Sequence, residues 1–344
     1  MRYWSWVIGL LGLLGLAVVL SVSIGAVEVP FPVVLKVVGA HLTGAAPTDA
    51  WSPAQDRIVW VFRLPRVLLA IVVGAALSVS GVTLQAVTRN PLADPYVFGV
   101  SYGATVGAVL VLSLGATVTG GLSRAVGAFL GALGATFLVF LFAQQGGRTN
   151  PLRLVLAGVA VSYVLSALTS YLVLRASSPT NNTISTVLAW LAGSLAGADW
   201  GQLGLPTAVT LAATAYLFLQ ARALNALLMG DESAAGLGLH VDQFRLQLFG
   251  LTSLIVGVVV ALSGAIGFVG LMIPHLVRLV VGSDHRRVLP LALIGGAIFL
   301  VLMDLVGRVA VAPQELPVGI VSAALGGPFF LWLLRRRQTF GDSR

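Results

Sequence analysis

Residues Trp4–Ile24 read WSWVIGLLGLLGLAVVLSVSI, twenty-one positions without one ionisable side chain. About 20 apolar residues in helical form cross the hydrocarbon of a bilayer, so this stretch predicts a membrane helix. Arg2 ahead of it resembles the start of a secretory leader. A leader's apolar core runs only about 7 to 15 residues, so the reading is a retained helix. Comparable blocks recur as far as Leu334, and the 344 residues are 58% hydrophobic and 9% charged, with a mean hydropathy of +0.98. A soluble chain carries about a quarter charged residues. In lipid, backbone polar groups are satisfied only in helix bundles or closed barrels, and barrel strands alternate rather than run continuously apolar. The expected fold is all-α: a polytopic bundle, with residues 1–344 forming a single transmembrane domain.

Reading apolar runs between polar breaks gives about ten segments. They fall near 4–26, 64–87, 96–114, 122–143, 152–174, 202–221, 245–265, 268–281, 288–308 and 317–334, several of them short or interrupted by glycine. Two longer connections remain. The first, Glu28 to Asp56, predicts an amphipathic helix near Phe31–Leu42, and the second, Arg175 to Trp200, a short helix near Thr183–Leu195. Ten spans starting inside put both termini in the cytoplasm, and thirteen of the twenty basic residues then fall at the inner face, in the sense that membrane topology favours. The expected location is the bacterial cytoplasmic (inner) membrane.

Several chemistries are excluded by composition. With no cysteine there is neither a disulfide frame nor a thiolate metal site, and His41, His240, His275 and His285 stand on separate segments, so no metal site is expected. The only lysine, Lys36, lacks the glycine-rich turn of a phosphate-binding loop, so the chain has no ATP-hydrolysing motif of that kind. The net charge of +8 belongs to membrane-flanking loops rather than to nucleic-acid binding. Ionisable groups inside spans are costly and functional by default, and here they are Asp304 and Arg308. Four residues apart, they lie on one helix face and can neutralise each other, which argues against a proton-coupled secondary carrier.

Three constellations remain as candidate sites. Between segments six and seven, Gly230, Asp231, Glu232, Ser233, Ala234, Ala235, Gly236, Leu237 and Gly238 predict a helical knob, with Gly230 ending one helix, Asp231 capping the next, and Gly236 and Gly238 stopping it. Asn90-Pro91-Leu92 and Asn150-Pro151-Leu152 repeat one tripeptide at the predicted inner face, where proline takes the preceding asparagine out of helical geometry. These read as paired gate loops. At the outer face Arg63 and Arg66 flank Leu64-Pro65, and guanidinium forks suit carboxylates. Glycines at small-xxx-small spacing, Gly103 with Gly107, Gly127 with Gly131 and Gly193 with Gly197, indicate close helix packing rather than a site.

Along essentially its whole length the chain resembles the FecCD or BtuC type of permease subunit of type II ABC importers. The resemblance rests on Arg63-Leu64-Pro65-Arg66, on Gly74 and Gly81 with Gln85, on Asn90-Pro91-Leu92-Ala93-Asp94-Pro95, and on Leu156-Ala157-Gly158 and Trp190. It continues through the Gly230–Gly238 knob, Gly267-Phe268-Val269-Gly270-Leu271, Pro274-His275, Asp304, Arg308, Glu315-Leu316-Pro317-Val318-Gly319 and Gly326-Gly327-Pro328. It implies a homodimer or pseudo-dimer of ten-helix subunits, two separate ABC ATPase subunits that bind ATP and Mg, and a periplasmic or lipid-anchored substrate-binding protein. The chain itself then needs no cofactor and carries no catalytic residue. By resemblance the coupling helices lie near 224–242, Arg63, Arg66 and Arg308 meet acidic residues of the binding protein, and Asn90 and Leu92 form one cytoplasmic gate. Pro151 and Leu152 replace the small hydroxyl residues that stand at the second gate of the vitamin B12 transporter. The expected cargo is an iron chelate, a ferric siderophore or haem, with vitamin B12 (cobalamin) as the alternative.

Overall fold

A computed structural model describes residues 2–25, 27–44, 50–118, 123–145, 148–149, 151–176 and 183–341. The described chain is helical apart from turns and a two-residue antiparallel ladder pairing Gln144 with Thr149 and Gln145 with Arg148. The helices are α1 (Arg2–Ser23), α2 (Phe31–Thr43), α3 (Pro53–Asp56), α4 (Leu64–Thr88), α5 (Val100–Val118), α6 (Arg124–Ala143), α7 (Pro151–Ala176) and α8 (Thr183–Leu191). Then follow α9 (Gly204–Leu219), α10 (Ala221–Leu228), α11 (Asp231–Gly236), α12 (Val241–Ser263), α13 (Val269–Val281), α14 (His285–Val309) and α15 (Val318–Gly341). Seven described helices are long and apolar enough to cross a membrane, and α5, α13 and α15 supply shorter apolar helices.

The second span begins eleven residues earlier than the expected 64, at Pro53, and runs through a π-helical turn at Arg57–Arg63 into α4. Its start is a capping box: the Ser52 Oγ accepts from the Gln55 N–H at 3.2 Å, and the Ser52 N–H donates to Gln55 Oε1 at 2.9 Å. Ser-x-x-Gln is a sequence signature of a helix start, so this boundary was legible. The helix α2 matches its expected place, and His41 pins it by stacking on Trp60 and bonding Asp56 at 3.1 Å. The helix α8 stops four residues short of Leu195 because Gly193 turns left-handed (φ 71°) against the Ala265 carbonyl.

The helix α4 is the axis of the bundle. Every side chain from Val73 to Thr88 is buried, as for a helix surrounded on all sides. Two glycines make that possible: a Cβ at Gly74 would lie 2.2 Å from the Gly296 carbonyl oxygen on α14, and one at Gly81 would lie 1.9 Å from that of Gly270 on α13. Lipid tails give helices no hydrophobic reason to associate, so close backbone approach supplies the packing instead. The predicted glycine pairs act the same way between α5 and α6, where Gly103 meets Gly131 and Gly107 meets Gly127, whereas a Cβ at Gly197 would meet nothing within 4 Å. Buried hydroxyls return to the helix: those of Thr83, Thr105, Ser162 and Ser263 each donate to the carbonyl four residues earlier. Between α12 and α13 the chain leaves helical geometry, with Gly264 (φ 67°) and Phe268 (φ 69°) both left-handed. Phe268 holds a conformation disfavoured for a bulky side chain, with Gly326 of α15 leaving room for its ring.

Candidate functional site

The two ends of the bundle carry polar constellations, and each gathers residues distant in sequence. At one end, α10 and α11 form the expected knob. Gly230, at φ 106°, sits between them, and the Gly238 and Leu239 N–H groups donate back to the carbonyls of Ala235 and Ala234 to close α11. Asp231 does not cap α11, contrary to expectation. It is the first residue of that helix, and its carboxylate turns instead to two arginines. Arg245 on α12 donates to it twice, at 2.9 and 2.6 Å, and Arg89 approaches to 3.2 Å. Guanidinium geometry explains the preference, since a bidentate charge-assisted pair outweighs one backbone N–H. Burial opposes the Asp231 charge, but hydrogen bonds from Arg245 and the positive fields of Arg245 and Arg89 hold its carboxyl below the usual range.

Arg89 is the left-handed residue (φ 51°) that ends α4, and the first predicted gate begins at the next position. There the Asn90 Oδ1 accepts from the Leu92 N–H at 2.9 Å and the Asn90 carbonyl from the Ala93 N–H at 3.1 Å, folding Asn90-Pro91-Leu92 into a tight turn. Asp231 thus ties α11, α12 and the end of α4 that leads into the Asn90-Pro91-Leu92 turn together. A second tie joins α10 to α14: Asn225 donates to Asp284 at 2.8 Å and its Oδ1 accepts the His285 backbone N–H at 2.9 Å. Of the second gate, Asn150 lies outside the described residues, Pro151 opens α7, and Leu152 is exposed. Sequence reasoning missed Arg89, Arg245 and Asn225 as members of this site. Arg245 carried a signal, being a charge at the mouth of an apolar helix.

Asp94, four residues past Asn90, is buried and, among the described residues, accepts the Tyr96 N–H alone, at 2.9 Å. Burial pushes its carboxyl up to about 6, against that one hydrogen bond. A raised acid favours the fold when neutral, so this contribution is complete below the ordinary 3.8 and fades as pH rises through about 6. Asn keeps the accepting oxygen and removes the charge. Asp94→Asn is therefore expected to raise the melting temperature by a few degrees at pH 7.5, corresponding to about 2–3 kcal/mol, and by nothing at pH 4. Melting curves of both proteins across that range check it.

At the opposite end the three predicted arginines meet around one cavity of about 330 Å³, lined also by Gly25, Phe62 and Glu315. Arg63 donates to the carbonyls of Val22 (2.7 Å), Ser23 (2.8 Å) and Val27, and Arg308 to those of Ser21 (2.8 Å) and Ile24 (3.4 Å). Those carbonyls belong to the last turn of α1 and the residues just after it, where helix partners run out and a positive charge is favoured. Arg66 donates to Asp304 at 2.9 Å and to Glu315 at 2.7 Å, and Arg308 completes the pairing with Asp304 at 3.2 Å. Asp304 is almost wholly buried (1% exposed), while Glu315 stands 42% exposed at the rim. The expected mutual neutralisation of Asp304 and Arg308 is thus a three-residue network that Arg66 shares.

The relatives of this helical bundle are permease subunits of ABC transporters, transport components rather than enzymes, whose ATPase is a separate subunit. The chain belongs to the FecCD transport family, whose model matches residues 13–336. It is 44% identical over 86% of its length to the cobalamin import system permease protein BtuC of Halobacterium salinarum, covering 78% of that protein. It is 41% identical over 84% of its length to the hemin transport system permease protein HmuU of Yersinia pestis, covering 87% of it. Among solved structures it superposes with a TM-score of 0.82 and 33% identity on an inward-facing metal-chelate type ABC transporter, over 96% of this chain and 98% of that one.

Proposed function

We propose that the chain forms one half of the membrane pathway of a binding-protein-dependent importer that brings an iron chelate, a haem or ferric siderophore, into the cytoplasm. It works as a homodimer with two ATPase subunits and a soluble binding protein outside. The observation that carries the reading is the Asp231 bridge, which gives the knob a mechanical hold on the gate. ATP-driven closure of the ATPase pair displaces α11, Asp231 carries Arg89 with it, and the Asn90-Pro91-Leu92 turn moves at the pathway's inner end. The second gate at Asn150-Pro151-Leu152 responds through α7. A second cargo reading, cobalamin, is favoured by the 44% relative named for it. Uptake of radiolabelled haem, ferric siderophore and cobalamin by proteoliposomes holding the full importer separates the two. Accumulation of none of them, with the ATPase active, would overturn both.

The outer arginines receive acidic residues of the binding protein in this reading. Arg63 and Arg308 already hold α1, so Arg66 is the group an incoming carboxylate reaches, and Glu315 is its competitor. Glu315→Gln is therefore expected to tighten docking by about threefold to tenfold at low salt, with the gain shrinking at 0.5 M salt. Interferometry with immobilised binding protein measures this, and weaker docking in the variant would place the acidic contact elsewhere.

A further inference from the structure

An apolar groove of about 290 Å³ runs between α1, α13 and α14, away from both constellations above. Its walls are three helical stripes. Trp6, Leu10 and Leu13 of α1 lie at spacings of four and three residues, on one face. Leu276 and Val280 of α13 are one turn apart, and Leu291, Gly295 and Ile298 of α14 follow the same rule. Trp6, Leu13, Leu276 and Val280 are each partly exposed, so the groove opens outward from the bundle.

The stripes end in polar groups at the same level. One turn before Leu291 on the α14 stripe is Arg287, and one turn before Trp6 on the α1 stripe is Tyr3. The two are close enough for the Arg287 charge to act on the Tyr3 hydroxyl. Arg287 and its neighbour Arg286 are both exposed, in the first turn of α14. The nearest acid, Asp284, caps that helix and gives its carboxylate to Asn225 and the Arg286 N–H. A slot walled by apolar side chains that opens outward, with exposed arginines and an aromatic residue one helical turn beyond its lining, matches a single molecule with an acyl chain and an anionic head. Tyr3, Trp4 and Trp6 sit where interfacial aromatics place the headgroup level.

We propose that this groove is a discrete binding site for one anionic phospholipid, with its phosphate on Arg287 and Arg286 and an acyl chain along Leu291, Gly295 and Ile298. The site does not depend on which cargo is carried. It would fasten the peripheral helix α1 to α13 and α14 through a lipid that remains bound when bulk lipid exchanges.

The test uses the purified full-length chain in nanodiscs and reads tryptophan quenching by phosphatidylglycerol or phosphatidylcholine brominated on the acyl chain. The Trp6 signal is the difference between the chain and its Trp6→Phe variant. Phosphatidylglycerol is expected to quench that signal at about one-tenth the mole fraction that phosphatidylcholine requires, and Arg286→Ala with Arg287→Ala to abolish the difference. Val280→Phe, at an exposed position that the fold does not need, is expected to reduce quenching by both lipids while the arginines remain. Equal quenching by the two headgroups in the unmodified chain would overturn the proposal, leaving only exchanging lipid there. A double arginine variant that keeps its lipid preference but fails to copurify with ATPase subunits would overturn it as well, assigning these arginines to a protein contact.

Discussion

Replacing Asp231 with Ala is expected to cut uptake by tenfold or more while the assembled importer continues to hydrolyse ATP. Coupling free energies between sites of this kind run at about 1–3 kcal/mol, which is about 5-fold to 150-fold in the linked event. Asp231 is the only group through which α11 touches Arg89 by an ion pair among the described residues, so the gate loses its hold when the carboxylate goes. The substitution also removes two charge-assisted hydrogen bonds from Arg245, whose side chain is 2% exposed. Weakening the pairing of a buried charge is itself destabilising, although the partial exposure of Asp231 reduces the cost. Asp231→Ala combined with Arg245→Met separates the two effects, because Met fills the same space without a charge. If the double variant melts normally and still fails to transport, linkage was lost. If transport returns with stability, the single variant was merely misfolded and the bridge is no lever. Glu232, exposed on the same turn, makes no ion pair with a described residue, so in the proposed reading Glu232→Ala acts on the ATPase contact alone. Because the Asp231 carboxyl lies below its ordinary 3.8, the bridge stands across the neutral range and is lost only as pH falls through that lowered value.

The class of this fold was legible because lipid imposes one rule, internal satisfaction of every backbone group, and Trp4–Ile24 obeys it without exception. Glycine spacing likewise announced the α5 and α6 contact, since only absent side chains let two backbones meet at Gly103 and Gly131. The start of the second span was also written in the chain, as Ser52-Pro53-Ala54-Gln55, but Asp56, Arg57 and Arg63 after it resemble a polar-ended loop. What sequence could not give is pairing across distance. Nothing local says that Asp231 prefers Arg245, 14 positions on, to the N–H groups of its own helix, nor that Arg89 reaches the same carboxylate. Arg63 and Arg308 show the same limit from the other side. Their side chains suit an acidic partner equally well, but the end of α1 lies between them and supplies the carbonyls first.

Asp304→Asn is expected to lower the stability of the solubilised protein by about 3–5 kcal/mol, the cost of breaking a buried ion pair from one side. Asn occupies nearly the same volume, so packing is untouched and the change isolates the charge. Asp304 faces Arg66 at 2.9 Å and Arg308 at 3.2 Å, both largely buried, and without its charge two guanidiniums crowd one site with no anion between them. Glu315→Gln removes a charge from the same network at the exposed rim, where a pair is worth about 1 kcal/mol or less, and serves as the control. Melting curves of the two variants in detergent should therefore differ by several degrees. This also changes how a transport defect at Asp304 is to be read. A proton-coupled carrier would lose activity when Asp304 is neutralised, but so would a permease whose outer end has come apart. The discriminating measurement is uptake with and without the ATPase subunits, in a chain whose melting temperature is known. Should Asp304→Asn melt with the unmodified protein, the carbonyls of Ser21, Val22 and Ser23 alone would be enough to hold Arg308 and Arg63 in place, and the acidic residue would be free for another task.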